Sequence, residues 1–346
     1  MDHGCAALRR ALLDTTAVDT FVTVENRDGV FPIHRGLKFV LVAGTAGAAT
    51  TAIPSHTGVR SPDALDRLPD SGNPGAILVP RSVVEQFSGD QHAIPELRTS
   101  LDLAIVSRIA FSIPPLSDPR GWKVAFGREL NATDDRGHFI ASPASSGDCL
   151  IVEGKQIAPF RIDLAMARYA IRARDASRLL GTSFTRARLA YRDVASASNR
   201  LTLIAAILPP NVVSTHTLFC VKGDVNPDVQ EFLCGIFNSF VANYLVRLRV
   251  STHVTVAIVG RLFVPHPPLD SIEFATVVEL TRTLTKNPQD AAAAARLQGV
   301  AAALYGCTDA EYRHILESFP LVPADERAAA LAQLTETRRY VRSREP

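Results

Sequence analysis

The sequence is poor in the residues that metal and redox chemistry use. Its five cysteines, Cys5, Cys149, Cys220, Cys234 and Cys307, are scattered, with no CxxC and no Cys/His pair at zinc spacing. That excludes a zinc module and fits buried thiols in a reducing cytoplasm. His34, His138, His216 and His253 also stand alone, so no metal site is expected. Aromatic residues make up only 7% of the chain, too few to suggest a stacking platform for single strands. Long hydrophobic runs are missing as well. The most apolar stretch, Leu201–Leu208, is stopped by Pro209-Pro210, and no basic-then-apolar leader opens the chain. No membrane partner is expected, and the expected location is cytoplasmic. Gly44-Thr-Ala-Gly47 lacks a following Gly-Lys-Ser/Thr and is no phosphate loop. Ser145-Ser146-Gly147 lacks the strand–turn–helix setting of a nucleophile elbow.

What is present is a globular composition: 346 residues, 47% hydrophobic and 21% charged. That length suits two domains, or one large domain with a tail. The overall charge of +2 hides a gradient. Residues 1–149 carry 14 Lys/Arg against 17 Asp/Glu, residues 150–265 carry 14 against 7, and residues 266–346 carry 9 against 11. A basic centre with acidic flanks is what a polyanion-binding surface requires. Only five of the 37 cations are lysine. Arginine suits bidentate phosphate and guanine contacts, although a GC-rich coding sequence would give the same bias.

Along the chain, Met1–Leu13 reads as a helix, and Val18–Glu25 and Leu37–Val42 as two strands joined through Asn26–Arg35. Ser61–Pro80 reads as mostly loop, followed by helices near Val83–Phe87 and Pro95–Ile109. Ile113-Pro114-Pro115-Leu116 marks a domain boundary. Strands are expected over Cys149–Ile157, Leu189–Val194, Thr202–Ile207 and Thr217–Val221, with an irregular arginine-rich segment at 161–188. One helix is expected over Asp228–Leu248, amphipathic and buried on one side along Leu233, Ile236, Phe237, Phe240, Val241, Tyr244, Leu245 and Leu248. After Ser251-Thr252-His253, the alternation of Val254, Val256 and Ile258 reads as a short strand. Arg247 and Arg249 leave the helix beside this small polar loop, a placement that suits either DNA contact or an ordinary corner with solvated arginines. Helices follow over Phe274–Thr285, Ala291–Tyr305, Tyr312–Phe319 (from a capping box at Thr308–Glu311) and Asp325–Arg342.

Asp135 followed by Glu153-Gly154-Lys155 imitates the Asp…Glu-x-Lys pattern of Mg²⁺-dependent nucleases, in which two carboxylates hold the metal and lysine assists the attacking water. The pattern is degenerate, and it stands as one alternative.

Four stretches in order are more specific: Leu150–Phe160 (LIVEGKQIAPF), Arg188–Val194 (RLAYRDV), Asn199–Pro209 (NRLTLIAAILP), and Phe237-Asn-Ser-Phe240 with Arg247-Leu-Arg249. Together they resemble the TaqI-like target-recognition region of adenine-N6 DNA methyltransferases of the type IIG and phage-defence restriction–modification enzymes. Glu25–Arg35 (ENRDGVFPIHR) with Phe39-Val-Leu41 is similar to the last strands of the methyltransferase domain in that family. The resemblance spans roughly residues 5–320. It implies an α+β fold: a methyltransferase-sheet remnant over 1–115, a mixed α/β recognition domain over 116–268 and a helical tail over 269–346.

The same family clamps adenine with (Asn/Asp)-Pro-Pro-aromatic and holds S-adenosylmethionine on a glycine-rich turn. Neither motif occurs here: Asn73-Pro-Gly, Asn226-Pro-Asp and Asn287-Pro-Gln do not continue correctly. The resemblance therefore implies a chain without its own catalytic residues or cofactor. Its expected task is to recognise duplex DNA for a methyltransferase half carried on the same or another polypeptide. The residues expected to meet DNA are Lys155, Arg161, Arg192 and Arg200 in the basic strand region, with Arg247, Arg249, Ser251 and His253 at the helix exit. A non-catalytic protein-interaction module is the remaining alternative.

Overall fold

In a computed structural model the described residues are 5–67, 75–141, 145, 147–195, 199–250 and 252–342, with side chains through 339. The chain divides into two compact units, Met1–Ser112 and Ile113–Pro346. Both mix helices and sheets, giving an α+β fold.

The first unit runs α1 (Ala6–Thr15), β1 (Thr16–Glu25), β2 (Lys38–Ala46), β3 (Ala52–Val59), α2 (Pro62–Asp66), β4 (Ile77–Pro80), α3 (Arg81–Ser88) and α4 (Ser100–Ser112). Its sheet has the order β2-β1-β3-β4, with β1 antiparallel to β2 and parallel to β3. The β1–β2 connection is held from inside. Asn26 is fully buried; its side chain accepts from the Phe31 N–H at 2.9 Å and donates to the carbonyls of Phe31 and Ile33. β3 and β4 were not expected from the sequence. β3 (AIPSHTGV) contains Pro, Ser and Gly and has little intrinsic strand preference, so its ladders to β1 and β4 decide its conformation. Its Ile53 is buried with Phe21, Val24, Val79 and Phe87.

One carboxylate ties this unit together. Glu25 is almost fully buried, 2.6 Å from Arg98 and 2.9 Å from Arg60. Burial pushes its carboxyl up, but the charges of Arg98 and Arg60 and the Arg60 hydrogen bond outweigh it, leaving the group below its usual 4.5. A carboxyl depressed in the folded state contributes stability that is full above the unfolded pKa and is lost as pH falls through the folded one. The stability of the full chain should therefore fall below about pH 4.5 by less in Glu25→Gln than in the parent, as read from urea midpoints across pH. Equal acid sensitivity in both proteins would refute this role.

The second unit contains β5 (Phe126–Gly127), β6 (Phe139–Ala141), β7 (Asp148–Val152), β8 (Ile157–Ala158), β9 (Arg161–Ile162), β10 (Tyr169–Arg172), α5 (Ala173–Leu180), β11 (Arg188–Arg192), β12 (Ala205–Leu208), β13 (Val212–Ser214) and β14 (Leu218–Val221). It continues with α6 (Pro227–Phe237), α7 (Phe240–Arg247), α8 (Val256–Gly260), α9 (Ile272–Lys286), α10 (Ala291–Leu304), α11 (Asp309–Glu317) and α12 (Ala324–Arg342). The strands form two four-stranded sheets, β12-β11-β14-β5 and β13-β7-β10-β6, and a small β8–β9 pair. Val152, Ala190, Ala206, Leu208, Leu218 and Cys220 share one apolar core. α6 packs on β11 and β12 and also on α9, while α10 joins α9, α7 and α12. The C-terminal helices thus belong to the same compact unit as the strands.

Three sequence expectations are corrected here. The single helix over Asp228–Leu248 is two helices, because the Asn238 side chain is drawn to the backbone of Ala205 and Ser239 turns extended to cap α7. These helices are not buried on one side only. Phe232 to Val246 is buried throughout, since α6 is covered by strands on one side and α9 on the other. The strand expected at Val254–Ile258 is instead the short helix α8. The Thr255 hydroxyl accepts from the Ile258 N–H and starts a turn that buries Val259. In addition, the segment 161–188 is ordered as β9, β10 and α5 rather than irregular, and Ser61–Pro80 includes α2 and β4.

Candidate nucleic-acid interface

The helix exit is assembled by two buried asparagines. Asn243 on α7 accepts from the N–H groups of Thr202 and Leu203, both at 2.8 Å, and donates to the carbonyls of Phe237 and Ser239. Asn238 makes the equivalent pair of bonds to Ala205. These side chains supply partners to backbone that would otherwise be buried without them, and they fix the segment 201–205 against the helices.

The arginines at this exit face inward. Arg247 lies 3.9 Å over the Phe319 ring. It donates to Thr202 Oγ1 and to the carbonyls of Ser318, Asn199 and Arg200. Burial lowers its guanidinium to about 10. Arg249 donates to the Ile258 carbonyl at 3.3 Å, and burial together with repulsion from Arg261 lowers it to about 9. Arg200 pairs with Glu326 of α12 at 2.5 Å. Arg192 is half-buried on β11; its Nε has no hydrogen-bond partner among the described residues, and burial lowers its pKa. His253 is about half exposed, with Nδ1 3.3 Å from buried Asp193, which also pairs with Arg128 at 3.0 Å. Backbone bridges hold this corner: Val194 pairs with His253, and the Val254 N–H donates to the Asp193 carbonyl at 2.7 Å. Ser251 lies outside the described residues.

Lys155 lies in the turn between β7 and β8 and Arg161 on β9, and both are exposed. Lys155 sits 3.0 Å from Glu153, and Arg161 sits 3.6 Å from Asp163, two residues further along the chain. Glu153 also takes Arg168 at 3.2 Å. It closes a capping box with Gln156, whose side chain accepts the Glu153 N–H at 2.6 Å. Burial raises the Glu153 carboxyl, but Lys155 and Arg168 outweigh it and hold it low. Asp135 is occupied with the Asn131 N–H at 2.7 Å. Glu153 thus faces cations rather than a second carboxylate, and no group of three or more His/Cys/Asp/Glu among the described residues could hold a metal ion.

The sequence reading missed the rest of this cluster. Arg136 lies 4.1 Å over the ring of Tyr169 and 5.6 Å over Phe139, and Arg168 lies 5.7 Å over Tyr169. The hydrogen bond and charge of Arg136 hold the Tyr169 phenol below its usual pKa. The arginine density of 161–188 was the available signal for Arg168. Arg136 sits in a polar loop and reaches Tyr169 only because β6 pairs with β10.

A Cβ on Gly44 would meet Thr16 Cγ2 at 2.6 Å and the Ala17 carbonyl at 2.8 Å, so this glycine serves close strand approach. No helix among the described residues is long and apolar enough to cross a membrane.

No family model matches the chain, and no curated protein does. Solved structures of partly similar outline include the type IIL restriction-modification enzyme MmeI in complex with DNA, with 9% identity over 93% of this chain and 45% of that one and a TM-score of 0.47. The type IIG restriction endonuclease BpuSI has 12% identity over 95% of this chain and 44% of that one, with a TM-score of 0.44. The chain spans less than half the length of either protein.

Proposed function

We propose that the second unit recognises duplex DNA in a restriction–modification setting, on behalf of an adenine-N6 methyltransferase activity supplied by another part of the same polypeptide or by another chain. The observation that carries this reading is the packing of the four ordered stretches into one body. Leu150–Phe160 runs through β7 and β8, Arg188–Val194 through β11, and Asn199–Pro209 through β12. Asn238 and Asn243 join the last of these to α6 and α7. The motifs that resemble the recognition region are therefore one structural module. That module carries 14 Lys/Arg against 7 Asp/Glu over residues 150–265.

The chemistry is positional. Arginine and lysine contact phosphates, and polar loop residues, His253 among them, read base edges in the major groove. Neutralising phosphates releases condensed counterions, so affinity should fall as salt rises, with a log–log slope near −0.9 per contact. Fluorescence anisotropy of the full chain with mixed-sequence duplexes across a salt series tests this. Saturable binding whose slope corresponds to several contacts is expected, and no binding at low salt would remove the reading.

A further inference from the structure

We propose that Arg136, Tyr169, Arg168 and Lys155 form a phosphodiester-binding site that takes the backbone of duplex DNA, an inference that rests on the DNA-recognition reading. β10 lies between β7 and β6, with Tyr169 opposite Ile151 on one side and Ala141 on the other. This order brings together Arg136 from the loop before β6, Arg168 and Tyr169 at the start of β10, and Lys155 just after β7.

Several other cations of this unit are already engaged within the protein. Arg188 is buried on Glu129, Arg247 and Arg249 serve protein carbonyls, Arg186 pairs with Asp224, and Arg200 pairs with Glu326. Lys155 and Arg168, by contrast, share the carboxylate of Glu153, and among the described residues Arg136 contacts the Phe139 and Tyr169 rings and the Tyr169 phenol. Three exposed cations thus gather here with one carboxylate, Glu153, ion-paired among them, while Asp134 and Asp135 of the Arg136 loop accept from Asn131 instead.

Geometry favours phosphate over a base. The Tyr169 face is covered by the Arg136 guanidinium, so it offers no free platform for a nucleobase. Stacking on the ring also holds the planar fork of Arg136 in place, which lowers the side-chain entropy lost when it grips two phosphate oxygens. Such a site orients the duplex and carries no sequence information of its own.

The test uses the full chain and fluorescein-labelled mixed-sequence duplexes over a salt series. Arg136→Ala and Arg168→Ala should each reduce the magnitude of the log–log slope by about 0.9, weakening all sequences alike. Arg136→Lys, which keeps the charge, should retain the slope. Arg296→Ala, an exposed position on α10, should match the parent. Should an alanine variant melt early, Arg136→Gln, which keeps a polar stem over Tyr169, reads the same slope. If the parent binds and the folded Arg136 and Arg168 variants keep its slope, the site is overturned while the DNA reading stands. An equal loss in Arg296→Ala would overturn it too, since overall charge would then be the cause. A parent that binds no DNA overturns both.

Discussion

Replacing Arg188 with alanine should cost the second unit about 3–5 kcal/mol, the usual loss when one partner of a buried ion pair is removed. Arg188 and Glu129 are almost wholly buried and meet in two parallel contacts, at 2.6 and 2.7 Å. The pair is also fully hydrogen-bonded. Arg188 donates to the Val212 carbonyl at 2.7 Å, and Glu129 accepts from the N–H and hydroxyl of Ser214. Three segments, before β6, at β11 and at β13, therefore converge on one charge pair. Arg188→Ala would leave the Glu129 carboxylate in the core with no counter-charge. The double variant Arg188→Met/Glu129→Gln should recover much of the loss, because it removes both charges and keeps a donor and acceptor near Ser214. Urea denaturation of the full chain, followed by circular dichroism, distinguishes the two. A midpoint for Arg188→Ala equal to the parent's would show that the pair contributes nothing.

Asn243→Ala should be comparably damaging, by roughly 3 kcal/mol or more. It strips partners from the N–H groups of Thr202 and Leu203 at a fully buried site, and each unsatisfied buried group costs about 1–3 kcal/mol. The carbonyls of Phe237 and Ser239 lose their side-chain donor in the same change. Because Asn243 positions segment 201–205, the variant should also loosen Arg247, which is anchored on Thr202 and on the Asn199 and Arg200 carbonyls. The exposed neighbour Asn199→Ala should shift stability by no more than about 0.5 kcal/mol. Equal urea midpoints for the two variants would overturn the socket role of Asn243.

Arg247 and Arg249 show where local reading runs out. Two arginines beside a polar loop look like an exposed basic corner, and their number in the sequence says nothing of direction. The structure turns Arg247 onto Phe319, more than seventy positions away, and draws Arg249 to the carbonyl of Ile258. Arg136 shows the converse. It is unremarkable in its loop and is placed against Tyr169 only by strand pairing.

The sequence by itself determined the features that depend on near neighbours. The capping box at Thr308–Glu311 starts α11 as expected, because both bonds close within four residues. The helices α9, α10 and α12 lie close to where the sequence places them, and the turn residues of Asn26–Arg35 separate β1 from β2. The basic character of 150–265 is likewise a matter of composition. Only the tertiary structure decided what depends on distant partners. It broke the long helix at Asn238, because a buried amide there satisfies Ala205. It made a strand of the weakly disposed segment Ala52–Val59, because β1 and β4 offer ladders on either side. It also divided the arginines between interior anchors and solvent-facing charge. A guanidinium is stable in either setting: buried, it needs carbonyls, a ring or a carboxylate, and exposed, it needs only water. Which of these an arginine finds is set by what the rest of the chain folds against it.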